Sequence, residues 1–179
     1  MEAGTGQRRA ASGGGGEAPP PPRPGDAPPA VVAHTPRQVR AALELAGPRG
    51  VALLSAPGAA GNMGAAWFLA LVEQARGALG GDAPPSSPPH WPVLDCGNAP
   101  GFALHALRAG ARVLVLDPAA PAFPAVAAAA AEAGAALWAE RPPALDLGRL
   151  DLRAADGPGR RRLAEWLTGG AVTGPPGLG

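Results

Sequence analysis

Short apolar runs alternate with longer stretches of helical periodicity from about Ala30 to Leu167, in pairs of roughly 20 to 40 residues. This alternation predicts repeated βα units and therefore a parallel sheet. Ala30-Val31-Val32-Ala33 reads as a first strand. The segment after it opens a helix, with Thr35 suited to the N-cap, Pro36 to the first helical position and Gln38 to a capping box. Val39 and Leu43 share one face of that helix, and Gly47 supplies a stop. Val51 to Ser55 is a continuous apolar run of the kind buried on both faces of a parallel sheet. The helix that follows carries Met63, Trp67 and Leu71 at spacing four, with Glu73 and Arg76 on a more polar side.

Further along, Pro92 to Cys96 predicts a third strand, and Pro100 to Ala109 a helix with Leu104 and Leu107 facing inward. Arg112 to Leu116 predicts a fourth strand, Phe123 to Ala133 an alanine-rich helix ended by Gly134, and Ala136 to Ala139 a weaker fifth strand. Leu145 to Leu152 is ambiguous, and Arg160 to Leu167 predicts a terminal helix. The expected fold is a single α/β domain of about five parallel strands with helices on both faces, a Rossmann-like or flavodoxin-like doubly wound sheet. The second or third strand is expected at its centre. A partial barrel of βα units is the alternative architecture, whose open edges would require pairing with another chain.

Composition sets the limits of this domain. Residues 1–29 hold seven glycines and seven prolines, with three arginines balanced by three acidic residues. Such a segment has too little apolar surface to offset its ordering entropy and is expected to be a disordered tail. The domain proper is expected over 30–167, with a flexible loop at 80–90 and a second tail at 168–179. Arg8-Arg9 is not followed by an apolar stretch, so a twin-arginine export signal is not expected. Apolar runs fall short of the roughly 20 residues that span a bilayer, and a cytoplasmic protein without a membrane partner is expected.

Lysine, tyrosine and isoleucine are absent from the 179 residues, while Ala, Gly, Pro and Arg abound. Without lysine there is no Walker A phosphate lysine, no Schiff base and no Tyr/Lys proton-transfer pair. A net charge of +1 gives no reason to expect nucleic acid as a partner. One cysteine, Cys96, rules out an intrachain disulfide and a multi-cysteine zinc site, and His34, His90 and His105 have no metal-ligand spacing, so no metal is expected. His34 stands at the end of a strand, where it could reach a crevice. Arg160-Arg161-Arg162 reads as a solvated helix face or as part of a partner-binding helix.

Candidate chemistry concentrates at two strand-to-helix turns. The first is Ser55-Ala56-Pro57-Gly58-Ala59-Ala60-Gly61-Asn62-Met63-Gly64, and the second is Asp95-Cys96-Gly97-Asn98-Ala99-Pro100-Gly101. Ligands of open parallel sheets bind beyond the carboxyl ends of the strands. Ser55, Gly58, Gly61, Asn62, Gly64, Asp95 and Asn98 are therefore the candidate ligand-binding residues, with a small anion as the expected ligand. Glycines at such a turn either expose backbone N–H groups to an anion or simply let helix and strand pack closely. Cys96, at a predicted helix N-terminus, is a candidate nucleophile if its thiolate is favoured there and a small apolar residue if it is buried. Asp95 and Asp117 both end apolar strands, which suits either a carboxylate pair for acid–base or Mg²⁺ chemistry or two turn-forming caps.

Gly58 to Gly64 resembles the GxxGxxG turn of extended short-chain reductases and related dinucleotide-binding domains, over the Val51 to Leu71 unit. That resemblance implies NAD or NADP as a cofactor. The sequence departs from the pattern at Pro57, which removes a backbone donor, and Asp95 lies 31 residues beyond Gly64, too far to match the ribose-binding acid directly. The SAPGAAG turn, with the later LDCGNAPG turn, also resembles small bacterial α/β proteins without an assigned activity. Taken together, the residues imply a non-catalytic anion- or nucleotide-binding or regulatory protein. A truncated reductase or Cys96 thiol enzyme and a structural or adaptor protein are the alternatives.

Overall fold

The computed structural model describes residues 19–79 and 88–169. The expected tails fall largely outside these residues, as does most of the 80–90 loop. Residues 19–29 are described, and they contain a 3-10 turn at Pro24–Asp26.

Six strands form one parallel sheet: β1 (Ala30–Val32), β2 (Val51–Leu54), β3 (His90–Asp95), β4 (Val113–Val115), β5 (Ala136–Trp138) and β6 (Ala144–Asp146). The class is α/β, as the alternation predicts, with one strand more than expected. The additional strand comes from the ambiguous Leu145 region, which divides into β6 and a 3-10 turn at Leu147–Arg149. Among the described residues six α-helices accompany the sheet: α1 (Pro36–Leu45), α2 (Ala59–Asn62), α3 (Ala65–Gly77), α4 (Pro100–Arg108), α5 (Phe123–Glu132) and α6 (Pro158–Leu167).

The strand order is β5-β4-β3-β2-β1-β6. β2 and β3 are central, and the order matches neither doubly wound arrangement anticipated for the fold. Its consequence is one-sided. From β1 to β5 every step moves in the same direction, and right-handed crossovers then place their helices on one face. The two cores record this. Val31, Val51, Leu53, Leu94 and Leu114 pack with Val39 of α1, Phe68 of α3, Ala103 of α4, Val126 of α5 and Leu163 of α6. The intervening strand positions, Ala30, Val32, Ala52, Leu54, Val93, Val113, Val115 and Trp138, form a second cluster to which no described helix contributes a buried residue. Two-sided helical coverage was expected from the sequence. The described cover of the second face is instead the segment entering β1, where Ala27 packs and where Pro20 and Pro22 accept hydrogen bonds from Trp91 and Trp138.

Local chemistry sets the helix ends. In α1 the capping box is complete: Thr35 accepts from the Gln38 backbone, and the Gln38 carboxamide oxygen accepts from the Thr35 N–H at 3.1 Å. The same side chain then donates to the Leu147 carbonyl at 3.0 Å, so the cap also ties α1 to the turn after β6. Met63, Trp67 and Leu71 do not form the buried stripe. Gly64, at φ +83°, breaks the helix into α2 and α3, and the inward residues become Phe68, Leu71, Val72 and Ala75. Met63 and Trp67 are left exposed. In α4, Leu104 and Leu107 are partly buried against the core, while Ala103 and Ala106 lie fully inside.

Gly50 marks the tightest approach between β2 and its neighbour. Its φ is +75°, and a Cβ there would lie 2.1 Å from the Pro89 carbonyl oxygen, the acceptor of the Val51 N–H. Gly58, at φ +65°, has open space around it. Gly50→Ala therefore combines backbone strain with a backbone clash, whereas Gly58→Ala carries only the strain of about 1–2 kcal/mol. Urea denaturation of the two variants is expected to show a loss at Gly50 greater by at least about 1 kcal/mol, on the scale of overpacked sites.

Candidate functional site

The two predicted turns meet at the carboxyl ends of β2 and β3. Asp95, the last residue of β3, is 4% exposed, and its carboxylate is already engaged. Asp95 Oδ1 accepts from the Gly58 N–H at 2.7 Å and from the Gly97 N–H at 2.8 Å. Asp95 Oδ2 accepts from Arg141 Nη1 at 2.5 Å, and Arg141 Nη2 donates to the Ser55 carbonyl at 3.1 Å. Ser55 closes the set, its Oγ accepting from the Asp95 N–H at 2.9 Å and donating to the Ala56 carbonyl. Positive φ at Gly58 and Gly97 aims both N–H groups at one oxygen. The anion held by the glycine turn is thus the chain's own carboxylate.

Of the residues singled out in the sequence, Ser55, Gly58 and Asp95 come together. Gly61, Asn62, Gly64 and Asn98 lie outside that cluster. Gly61 faces the ring of Phe102, Gly64 caps α3, and Asn62 and Asn98 are exposed, with no side-chain hydrogen bond among the described residues. A phosphate at the first turn would meet the Asp95 carboxylate on the N–H group it needs. Arg141 was missed, because nothing in a Glu-Arg-Pro-Pro loop 46 residues away signals a partner for Asp95. A lone acid ending an apolar strand is the one clue that a counter-charge is required.

The candidate catalytic residues have structural surroundings. Cys96 continues the strand ladder, its N–H bonded to the Val115 carbonyl, and lies four residues before α4. It is therefore not placed at a helix N-terminus. Burial, reinforced by the Asp95 charge, pushes its thiol up to about 12, opposite to thiolate activation. Asp117 is exposed and accepts the Ala119 N–H at 2.8 Å, a turn-forming role.

A different set of residues gathers where the strand order reverses, between β1 and β6. His34 follows β1 and Asp146 ends β6, and His34 Nε2 lies 2.8 Å from Asp146 Oδ1. The Gly148 N–H donates to the same oxygen at 2.8 Å. Partial burial of Asp146 acts to raise its pKa. The hydrogen bonds from His34 and Gly148, with the charges of His34 and Arg149, outweigh that and hold the carboxyl below its ordinary value.

Beside this pair lies a groove of about 390 Å³, lined by Thr35, Arg37 and Gln38 from the start of α1 and by the Gly148–Arg153 segment. Arg37, Arg149 and Arg153 are exposed on it and form no salt bridge among the described residues. A continuing groove of about 400 Å³ shares Arg37 and Arg153 and adds Arg40 and Arg160, both paired with Glu44. On the other side of His34, a third groove of similar volume is lined by Pro36, Trp67, Leu71 and Gln74. Among the described residues, no three His, Cys, Asp or Glu side chains are grouped to hold a metal. No described helix is long and apolar enough to cross a membrane. Compared with known protein families, curated proteins and solved structures, the chain matches none.

Two outcomes test these assignments. Arg141→Met and Asp95→Asn are each expected to cost about 3 kcal/mol, with the double variant costing at least about 1 kcal/mol less than their sum. A double-mutant cycle by chemical denaturation measures this, and additive losses would contradict the clasp. Native Cys96 is expected to resist iodoacetamide through pH 9 and to react readily in urea, since the thiolate is suppressed only while the fold buries it. Mass spectrometry of the alkylated chain reads both states.

Proposed function

We propose that this protein binds a small anionic ligand without catalysis, in the arginine-lined groove at the carboxyl ends of β1 and β6. The observation that carries the reading is the convergence of Arg37 with Arg149 and Arg153, from two separate segments, on one groove at the point where the strand order reverses. In parallel sheets that point opens outward from the strand ends and is the usual place for ligands. These guanidinium groups, which form no salt bridge among the described residues although Asp151 also lines the groove, offer planar donor pairs to phosphate or carboxylate. The first turn of α1 adds the positive end of a ten-residue helix.

The non-catalytic part of the proposal rests on the candidate reactive groups. Asp95 is committed to Arg141 and two backbone donors, and Cys96 is buried with a raised thiol pKa. His34 Nε2 donates to Asp146 beside the groove, so its ring is held in place at the end of β1. A phosphate monoester or short nucleotide fits the charge and the volume of the site.

Thermal-shift and calorimetric titrations with inorganic phosphate, pyrophosphate and AMP, at low and high salt, test the proposal. Binding is expected to raise the melting temperature and to weaken with salt. Arg149→Met with Arg153→Met is expected to weaken it by about tenfold or more, the scale of lost charge-assisted hydrogen bonds. Gly61→Asp, which adds a carboxylate at the glycine turn, is expected to leave it unchanged. Loss of binding in Gly61→Asp but not in the arginine variant would move the ligand to the glycine turn. No binding of any of the three probes would overturn the proposal.

A further inference from the structure

The second face of the sheet carries an arrangement that the anion site does not use. Trp91 enters β3 and Trp138 ends β5, and both contribute to the apolar cluster that no described helix joins. Trp91 Nε1 donates to the Pro20 carbonyl at 3.0 Å, and Trp138 Nε1 donates to the Pro22 carbonyl at 3.1 Å. Their acceptors belong to the run Pro19-Pro20-Pro21-Pro22-Arg23-Pro24. Arg23 has φ −73° and ψ 155°, close to polyproline II geometry. From there the chain continues past Ala27 and the buried Pro28 into β1, so the proline segment crosses the sheet face from β5 and β3 toward β1.

The chemistry of this contact is specific. A proline run has carbonyl acceptors but no N–H donors, and the extended helix it forms makes no internal hydrogen bonds. A complementary surface therefore needs apolar area for the rings and isolated donors for the carbonyls. An indole supplies both in one side chain. Two indoles on strands separated only by β4 provide two such points, and aromatic-lined grooves are a general solution for recognising preformed proline-rich chains. Trp138 is 0% exposed, and its N–H has Pro22 as its described partner, so leaving the face uncovered would be costly.

We propose that this face is a recognition surface for proline-rich extended segments, occupied in cis by Pro19–Pro24 and open to a proline-rich segment of another protein that displaces it. The resident segment acts as a competitor tethered at Ala30. Its local concentration is in the millimolar range typical of short linkers, so a partner must either exceed it or bind more tightly.

The test uses the full-length chain with 15N-labelled tryptophan and an unlabelled peptide spanning residues 17–29. Pro20→Gly with Pro22→Gly weakens the resident segment without removing it, because glycine lacks the preset φ of proline. The peptide is expected to bind this variant roughly tenfold or more tightly than the wild type. It should shift the indole N–H signals of Trp91 and Trp138 while leaving those of Trp67 and Trp166 in place. Adding Trp91→Phe should remove most of that binding. Absence of shifts, or equal binding with Trp91→Phe present, would overturn the proposal. Hydrogen exchange on the wild-type chain provides a measurement that does not depend on any variant folding. The Trp91 and Trp138 indole protons are expected to exchange through local opening, faster than the β3 backbone amides. Exchange only on global unfolding would make the segment a fixed strap and refute recognition in trans.

Discussion

The Asp95 carboxylate is the constraint on which the carboxyl end of the sheet depends. A charge that is only 4% exposed must be compensated, and here two backbone N–H groups and a guanidinium meet that requirement from three separate segments. The result is mechanical. The turn after β2, the turn after β3 and the loop after β5 are held to one side chain, and Ser55 locks the β2 and β3 ends together from the opposite direction. Glycine at 58 and 97 follows from this demand, because only positive φ directs those N–H groups inward.

That internal anion redirects the functional reading. A turn with the geometry to receive a phosphate already holds a carboxylate, and its remaining polar side chains, Asn62 and Asn98, face solvent. Arginines that form no salt bridge among the described residues lie instead between β1 and β6, where Gln38 links the start of α1 to the Leu147 turn and brings both segments to one groove. The clasp gives rigidity at the sheet centre, and the reversal of strand order gives an opening near its edge. These are separate places with separate chemistry.

The second sheet face follows from the same topology. A chain that advances in one direction from β1 to β5 leaves one apolar surface to which no described helix contributes, since right-handed crossovers all fall on the other side. Alternate strand residues such as Leu54, Val93 and Val113 are fully buried there. A proline-rich segment meets part of that requirement, and the indoles of Trp91 and Trp138 satisfy carbonyls that a proline run cannot pair by itself. Composition alone makes such a segment read as a tail, because its own sequence contains little to bury; its apolar partners lie on strands 71 and 116 residues away.

Local patterns in the sequence determined the class of fold and most element positions. The alternation of apolar runs with helical periods gives parallel βα units, and Thr35, Pro36 and Gln38 define the start of α1 through contacts within four residues. Cys96 and Asp95 were recognisable as chemically notable, but their roles depend on neighbours far along the chain. Tertiary structure alone decided that Arg141 neutralises Asp95, that Phe68 rather than Trp67 faces the core once Gly64 breaks the helix, and that β6 lies beside β1. The physical reason is common to all three. Periodicity and capping are short-range and leave their imprint on neighbouring residues, whereas charge pairing, helix rotation and strand order are settled by contacts whose partners no local pattern names.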